Sequence, residues 1–194
     1  MLACTLEQNR NMTVFDACEQ VWLFGYGSLI FRPDFPFLAQ RPARLLGHAR
    51  RFWQASVDHR GTPQQPGRVV TLIEQAGAAV DGVAFLITPA VFAHLDERER
   101  NGYLRLALPL HFDDGSQVLG LTYVARQDNP AYLGPASEQE IAQQIARAHG
   151  PSGPNRDYLL QLAQALRALG SDDPHVFALE RAVLQVDARK IAAD

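Results

Sequence analysis

The feature that most constrains the fold is a change in hydrophobic pattern along the chain. Up to about residue 125 the apolar residues fall in short segments typical of strands, whereas the last third shows the spacing of amphipathic helices. Four early segments combine strand-like length with β-branched and aromatic residues. They cover residues 21–24, 47–56, 68–73 and 79–87. The first part of the chain is therefore predicted to supply a sheet.

A hairpin is predicted at the end of this strand-rich part. Apolar residues alternate with other types between Leu104 and Phe112, which predicts a strand with one buried face. Pro109 within it indicates an edge or a bulge, because proline has no N–H to donate. The turn sequence at 113–116 leads into an apolar segment at 118–125, so the two strands are expected to pair.

The last third is predicted to form three helices. Ser137 and Glu140 match a capping box at the start of the first helix. The second begins near Asn155. Asp173 and Pro174 are typical of the N-cap and first residue of the third. The first and third helices therefore have a start signal that is independent of their hydrophobic pattern.

One further helix is predicted among the strands, over 89–98, with Phe92 and Leu95 on its apolar face. Strands first and helices afterwards, joined by short connections, predict an α+β domain built on an antiparallel sheet or barrel. The 194 residues fit a single domain over 21–194. Residues 1–20 are interpreted as an N-terminal extension without clear periodicity.

Composition excludes several functional classes. The formal net charge is −3 with no basic stripe, so nucleic acid is not an expected partner. No apolar run approaches the ~20 residues of a membrane span, and no signal peptide precedes the first strand. We therefore expect no membrane partner and a cytoplasmic location. A monomer is the default expectation for the oligomeric state.

The cysteines and histidines do not indicate a metal site. Cys4 and Cys18 both lie in the polar extension, which argues against a disulfide framework and against a Cys-based metal site. The six histidines are scattered rather than spaced as metal ligands. No metal and no cofactor are expected.

The first strand ends in a candidate ligand-binding loop. The apolar run from Val21 stops abruptly at the Gly-Tyr-Gly-Ser sequence of 25–28, and glycine permits tight turns and close backbone approach. An ordinary turn is the alternative, because a short G-x-G specifies little. The segment 58–68 is either a functional loop or a solvated one. The charged segment 95–103, taken alone, is most simply a helix end with short-range ion pairs.

Eight segments in unbroken order are more specific than any one motif. They are Phe-Gly-Tyr-Gly-Ser-Leu-Ile at 24–30, Arg-Arg-Phe-Trp-Gln at 50–54, Asp-His-Arg-Gly at 58–61, Pro-Gly-Arg-Val-Val-Thr-Leu at 66–72, Gly-Val-Ala at 82–84, Asp-x-Arg-Glu-x-x-Gly-Tyr at 96–103, Asp-Asn-Pro-x-Tyr-Leu-Gly-Pro at 128–135 and Gly-Pro-Ser-Gly-x-Asn at 150–155. Over residues 21 to 185 the chain thereby resembles the ChaC-type gamma-glutamylcyclotransferases.

The resemblance implies a small closed or nearly closed, mainly antiparallel β-barrel with flanking helices. It also implies cleavage of glutathione to 5-oxoproline and Cys-Gly, in which the glutamyl α-amine attacks the γ-carbonyl of its own chain. This chemistry needs a folded substrate, a base and donors for the oxyanion. It needs no enzyme nucleophile, metal or cofactor.

By its place in the motif, Glu99 matches the family's catalytic glutamate, and we expect it to act as general base and then general acid. With reference pKa values of about 4.3 for Glu and about 8 for an α-amine, the first proton transfer is uphill by roughly 5 kcal/mol. Burial of Glu99 should narrow that gap. Glu97 is the neighbouring carboxylate, but on a helix it points about 200° away.

The family's substrate loop matches a short run of residues, whose backbone N–H and C=O groups would bind the glutamyl end of the substrate. The run consists of Leu23, Phe24, Gly25, Tyr26, Gly27 and Ser28. Two questions stay open at this point. Arg50, Arg60 and Arg68 would either bind a substrate carboxylate or help to close the barrel. For Tyr132, packing is favoured.

Three functions are consistent with the sequence. The first is a glutathione-specific cyclotransferase, which is favoured because the segment 58–68 matches the glutathione-acting branch of the family. The second is a cyclotransferase for other gamma-glutamyl peptides or amines. The third is a non-enzymatic regulatory binding protein. A Glu99 retained beside an intact loop argues against the third, because a binding protein has no need of a base.

Overall fold

Five strands close into a barrel in the order β1-β3-β2-β4-β5. The computed structural model describes residues 5–15, 17–99 and 102–191 of the chain. The barrel strands are β1 Val21–Gly25, β2 Ala39–Ser56, β3 Gly67–Ile87, β4 Tyr103–His111 and β5 Gln117–Ala125. Strand β1 runs antiparallel to β3 and parallel to β5, whereas β4 is antiparallel to both β2 and β5. The prediction of a closed, mainly antiparallel barrel in an α+β fold is confirmed.

The other main elements of the described residues are helices. They are α1 Thr5–Arg10, α2 Phe92–Arg98, α3 Glu138–Arg147, α4 Asn155–Ala168 and α5 Pro174–Ile191. Single 3-10 turns cover Ser28–Ile30 and Pro89–Val91, and a small sheet is formed by β6 His149–Gly150 and β7 Gly153–Pro154. In the described part of the chain, no helix combines the length and the apolar character that crossing a bilayer requires.

The predicted helix starts are confirmed by their capping contacts. The Ser137 hydroxyl accepts the N–H of Glu140, whose carboxylate in turn accepts the Ser137 N–H, completing the capping box of α3. At α5, Oδ1 of Asp173 accepts the N–H of Val176 at 3.0 Å. These contacts link residues that are close in sequence, so a local pattern was sufficient to predict them.

The chain divides into two compact units. The first comprises Met1–Ala49 and Leu72–Pro130, and the second comprises Arg50–Thr71 and Ala131–Asp194. The prediction of one domain over 21–194 stays a prediction. Buried apolar side chains of the first unit include Leu23, Phe24, Phe85, Leu95 and Leu121, and those of the second include Phe52, Ile141, Leu159, Val176 and Leu179.

Two strands are longer than the sequence predicted. Strand β2 begins at Ala39 rather than at Gly47, and the segments 68–73 and 79–87 belong to one continuous strand, β3. Gly47 and Gly77 adopt φ values of 72° and 76°, which only glycine tolerates easily. Both strands continue through these glycines. The strand start predicted at Gly47 and the strand break predicted between residues 73 and 79 were therefore wrong.

The expected alternation along β4 is only partly observed. Leu110 is buried, but Leu104 is only half-buried. Arg105, predicted to face away from the core, is 9% exposed. Its guanidinium is paired with Asp96 of α2. Because a paired charge can be buried, a long-range partner reversed the local pattern.

Within the first unit, helix α1 of the N-terminal extension packs against β4. The Asn9 side chain, 1% exposed, accepts the N–H of Arg105 at 2.7 Å and donates to the carbonyl of Tyr103 at 3.1 Å. Strand β4 is thereby joined to α1 through its backbone. Cys18 is an exposed free thiol, and Cys4 lies outside the described residues.

Candidate active site

Glu99 stands at the C-terminal end of α2. Its N–H donates to the carbonyl of Leu95 at 2.9 Å, which completes the last turn of the helix. The carboxylate side chain is 17% exposed, whereas Glu97 is exposed. The two neighbouring carboxylates are therefore in different environments, as the helical spacing predicted.

Burial raises the pKa of Glu99 to about 7. Arg98 opposes this shift by stabilising the carboxylate, and the charge of Asp34 adds to it. The pKa rise that the sequence analysis expected is present, and burial is its largest cause. A carboxyl with this pKa exchanges protons readily near neutral pH, as general acid–base catalysis requires.

One guanidinium joins three parts of the first unit. Nε of Arg98 lies 3.3 Å from Oε1 of Glu99, and Nη2 donates to the Ser28 hydroxyl at 2.9 Å. Nη1 pairs with the carboxylate of Asp34, in the segment between the first 3-10 turn and β2. Arg98 thus connects the candidate base directly to the candidate substrate loop.

The loop side chains at the end of β1 are mostly buried. Leu23 and Phe24 are 0% and 1% exposed, and the Tyr26 hydroxyl donates to the carbonyl of Tyr123 at 2.7 Å. The Phe24 carbonyl accepts the hydroxyl of Thr122 at 3.0 Å. These contacts fix the loop to β5 and use the side chains for packing. Any contribution of Leu23, Phe24 and Tyr26 to ligand binding is therefore through backbone groups.

Gly25 is required by close packing. A Cβ atom at this position would lie 2.7 Å from Cβ of Leu29, well inside van der Waals contact. Across the β1–β3 pair, a Cβ atom on Gly82 would overlap the carbonyl oxygen of Gly25 and the ring of Phe24. Close packing between β1 and β3 therefore depends on glycine at both positions.

The 3-10 turn that follows presents backbone donors. Its first hydrogen bond runs from the N–H of Ile30 to the carbonyl of Gly27 at 3.1 Å. The N–H groups of Ser28 and Leu29 precede this donor and have no acceptor within the turn, as at the start of any helix. The same turn carries the Ser28 hydroxyl, which accepts a hydrogen bond from the Arg98 guanidinium.

A buried polar network holds α2 against the barrel. Nε and Nη2 of Arg105 donate to the two carboxylate oxygens of Asp96 at 2.8 and 2.6 Å, and the Tyr123 hydroxyl donates to Oδ1 of Asp96 at 2.7 Å. The Arg105 guanidinium also lies over the Phe92 ring at 4.3 Å. Because Asp96 is one turn before Glu99, this network fixes the end of the helix that carries the candidate base.

Comparison with known proteins identifies the relationship. The family model described as ChaC-like protein matches residues 21–186. The chain belongs to the ChaC-like family. It is 44% identical over 177 residues to the glutathione-specific gamma-glutamylcyclotransferase 1 of Danio rerio, covering 86% of this chain and 90% of that one. Identity to the human protein of the same name is 39% over 175 residues, covering 85% and 79%.

Solved structures agree with this ChaC-like assignment. The chain is similar to a crystal structure of a yeast gamma-glutamylcyclotransferase specific to glutathione, with a TM-score of 0.80 and 32% sequence identity. The match covers 86% of this chain and 96% of the yeast chain. The yeast structure therefore shares the fold of this chain.

The arginines of the second unit of this ChaC-like protein have structural partners. Nη1 of Arg50, itself 1% exposed, pairs with Asp173 at 2.5 Å. Nε of Arg68 donates to Gln144 at 2.7 Å, and its Nη1 donates to the Phe52 carbonyl at 2.9 Å. These contacts support the structural alternative of the sequence analysis for Arg50 and Arg68.

Two further side chains of the second unit also act in packing. Nη1 of Arg60 donates to the carbonyl of Pro154 at 3.2 Å, and the guanidinium lies 5.8 Å from the Tyr158 ring centroid. Tyr132 packs edge-on against Trp53, with ring centroids 6.5 Å apart. Packing is therefore observed for Tyr132, as the sequence analysis favoured.

A buried histidine helps to hold β2 in the second unit. Nε2 of His175 accepts the backbone N–H of Phe52 at 3.1 Å, so the imidazole must be neutral for this contact. Burial lowers the pKa of His175 to about 4, the charge of Arg51 lowers it further, and Asp173 opposes the shift. This histidine is a structural acceptor.

Sequence reasoning missed Arg98 and Asp34 as parts of the candidate site. Arg98 was only one letter of a charged motif, and Asp34 lay in a segment to which no role was given. Both residues meet at Glu99 only in three dimensions. The adjacency of Arg98 to Glu99 was a sequence signal that could have found Arg98, since neighbouring charges shift pKa values. No sequence signal pointed to Asp34.

Proposed function

We propose that this protein is a glutathione-specific gamma-glutamylcyclotransferase with Glu99 as its general base. The observation that carries the proposal is the largely buried Glu99 carboxyl, whose pKa is about 7. The Arg98 guanidinium contacts both this carboxyl and Ser28 of the candidate substrate loop. Relatives at 44% and 39% identity carry the name of this activity. A degenerate binding protein would have no need of such a carboxyl.

The reaction moves two protons off the attacking nitrogen. The Glu99 carboxylate takes the first from the substrate α-ammonium, and the freed amine nitrogen attacks the γ-carbonyl carbon while the carbonyl π electrons move onto oxygen. When the tetrahedral intermediate collapses, these electrons re-form the carbonyl, the bond to the cysteine nitrogen breaks, and the protonated Glu99 gives its proton to that leaving amine. The restored carboxylate then takes the second proton from the cationic ring nitrogen and passes it to the free Cys-Gly amine. The products are 5-oxoproline and Cys-Gly, and no water is consumed.

The raised pKa of Glu99 makes the first transfer feasible. Against an α-amine of pKa about 8, a base of pKa about 7 faces a deficit of roughly 1.4 kcal/mol, compared with roughly 5 kcal/mol for an unperturbed glutamate. The same value suits the reverse role, because the protonated carboxyl can donate to the leaving amine near neutral pH. Burial therefore serves both half-reactions.

The loop residues Leu23, Phe24, Gly25, Tyr26, Gly27 and Ser28 are proposed to bind the glutamyl end. Their side chains are largely committed to packing, so backbone groups are offered to the substrate. The N–H groups at Ser28 and Leu29 suit the γ-carbonyl oxygen as it becomes an oxyanion. The Ser28 hydroxyl, which accepts from Arg98, retains its own hydrogen for a substrate carboxylate.

Mutation of the base tests the proposal. Purified Glu99→Gln should fold as the wild type does and lose at least about 100-fold in release of 5-oxoproline from glutathione. Glu97→Gln is the matched control, because it makes the same chemical change at an exposed position of the same helix, and it should retain activity. A fully active Glu99→Gln would refute the assignment.

Substrate choice is tested with the wild-type enzyme. We propose that glutathione is preferred over other gamma-glutamyl peptides, as the names of the relatives suggest. Parallel incubation with glutathione and gamma-glutamyl-alanine should give 5-oxoproline mainly from glutathione. Equal rates would favour the broader cyclotransferase, and no turnover of either by folded protein would favour a binding protein.

We also propose that the enzyme works as a monomer in the cytoplasm, without nucleic-acid or membrane partners. The formal net charge of −3 supports the lack of a nucleic-acid partner. Sedimentation velocity at micromolar concentration should give a single species of 21.5 kDa. A dimer mass would contradict the monomer.

A further inference from the structure

We propose that Asp34 is a positioning residue for the reaction: by holding Arg98, it prevents that guanidinium from pairing fully with Glu99 and so keeps Glu99 available as a base. The inference rests on the proposed function of Glu99. It concerns a residue that does not touch the substrate in the mechanism above and acts through another side chain.

The geometry shows how the guanidinium is divided. Nη1 pairs with Asp34, Nη2 donates to Ser28 at 2.9 Å, and Nε lies 3.3 Å from Glu99. A strong arginine–carboxylate pair uses two parallel N–H groups at about 2.7–2.9 Å. Because both terminal nitrogens are bound elsewhere, Glu99 receives a single, longer contact.

This division matters because Nε of Arg98 already lies 3.3 Å from Oε1 of Glu99. With no competing anion, the guanidinium would be free to pair more closely with this carboxylate, which would stabilise its charged form and weaken it as a base. Asp34 supplies the competing anion. Its side chain is 45% exposed, so it stays hydrated while it binds Arg98, which is 17% exposed.

The other charged groups near the site are accounted for. Among the described residues, Arg98 and Asp34 are the charges that act on the pKa of Glu99, the first lowering it and the second raising it. His94 of α2 lies 3.6 Å from Asp34, and Ser28 faces Arg98 as a neutral hydroxyl. From β4, Tyr103 contacts the Glu99 carbonyl through its backbone N–H.

The remaining charges beside α2 compensate each other. Asp96 and Arg105 form a bidentate pair that also contains the Tyr123 hydroxyl. Within the described residues, the balance at Glu99 is therefore set by Arg98 against Asp34. Removal of the Asp34 charge should lower the pKa of Glu99 in two ways, because a repelling charge is lost and Arg98 is released to Glu99.

The test is the pH dependence of Asp34→Asn. The acid limb of kcat/KM for glutathione should move to lower pH by about one unit, and the rate on the alkaline plateau should fall several-fold because the base is weaker. Asp81→Asn is the matched control, since it removes another Asp–Arg pair of the same unit, with Arg44 at 2.7 Å. It should change neither quantity.

A second variant and a second readout separate the possible outcomes. Asp34→Glu keeps the negative charge and should keep the wild-type acid limb. The pKa of Glu99, followed by carbon-13 NMR of its carboxyl without substrate, should fall in Asp34→Asn. An unchanged pKa and an unchanged acid limb would overturn the inference. An active Glu99→Gln would instead overturn the proposed base, whatever the NMR titration of Asp34→Asn shows.

Discussion

Nε of Arg98 lies 3.3 Å from Oε1 of Glu99, yet the pKa of Glu99 is raised to about 7. An adjacent cation normally lowers a carboxyl pKa. At Glu99 the cost of burying the charged form is larger than this attraction, and the negative charge of Asp34 adds to the rise in pKa. The site therefore keeps a cation beside its base without losing basicity.

The wild-type enzyme should show an acid limb near pH 7. Only the carboxylate form of Glu99 can accept the substrate proton, and its pKa is about 7, so kcat/KM for glutathione should fall about tenfold per pH unit below that value. The measurement is 5-oxoproline release at low substrate concentration from pH 5 to 9. Circular dichroism at each pH shows whether the enzyme is still folded. An acid limb near pH 4.5 would contradict the assignment of a buried base.

Glu99→Gln should be more stable than the wild type at alkaline pH. The folded-state pKa of Glu99, about 7, lies above its ordinary value of 4.5. The folded wild type therefore binds more protons than the unfolded chain between these pH values, and its free energy of unfolding falls as pH rises through them. The loss above pH 7 is at most about 3 kcal/mol. Urea unfolding should give a higher midpoint for the variant than for the wild type at pH 8, and equal midpoints at pH 4.5. Equal urea midpoints at pH 8 would argue against a Glu99 carboxylate that burial destabilises.

Tyr26→Phe should weaken the loop without removing the base. The buried hydroxyl donates to the Tyr123 carbonyl at 2.7 Å, and its loss leaves that acceptor unpaired, at a cost of about 1–3 kcal/mol in unfolding free energy. We expect a lower kcat with the acid limb unchanged. Tyr132→Phe is a suitable comparison, because Tyr132 packs through its ring. This variant should lower the unfolding free energy by less than Tyr26→Phe does. A shifted acid limb in Tyr26→Phe would show that the hydroxyl acts on Glu99.

His175→Gln should make the stability of the fold less sensitive to acid. The folded-state pKa of His175 is about 4, below its unfolded value of 6.5, so the contribution of neutral His175 is complete above pH 6.5 and is lost as pH falls towards 4. The loss is at most about 3 kcal/mol. A glutamine oxygen can accept the Phe52 N–H at every pH. Urea midpoints from pH 7 to 4 should therefore decline less in the variant than in the wild type.

His94→Gln is the control for that titration. His94 is 55% exposed, so its replacement should leave the acid decline of the wild type intact. If His175→Gln and the wild type declined in parallel, the histidine would not be the acid-sensitive group.

The sequence predicted features that depend on neighbouring residues. The capping box of Ser137 and Glu140 and the start of α5 at Asp173 were predicted correctly, because both rest on contacts within one turn of helix. The course of β3 through Gly77 was missed, since turn-like residues within a strand are held by pairing to other strands. Propensity alone does not contain that information.

Long-range pairing explains what the sequence could not predict at the site. The burial of Arg105 depends on Asp96 and Tyr123, which belong to different elements. The division of Arg98 among three partners depends on Asp34 and Ser28 in the same way. Glu99 itself was located only through the family resemblance, because a charged helix end was the simpler interpretation of its surroundings.

Gly25 of β1 and Gly82 of β3 have a consequence for the substitutions that this fold tolerates. Any side chain at Gly82 would overlap the Gly25 carbonyl, and any side chain at Gly25 would meet Leu29. Neither position can take a larger residue unless the two strands move apart. Because Gly25 also belongs to the candidate substrate loop, a substitution at Gly82 should disturb that loop from the neighbouring strand.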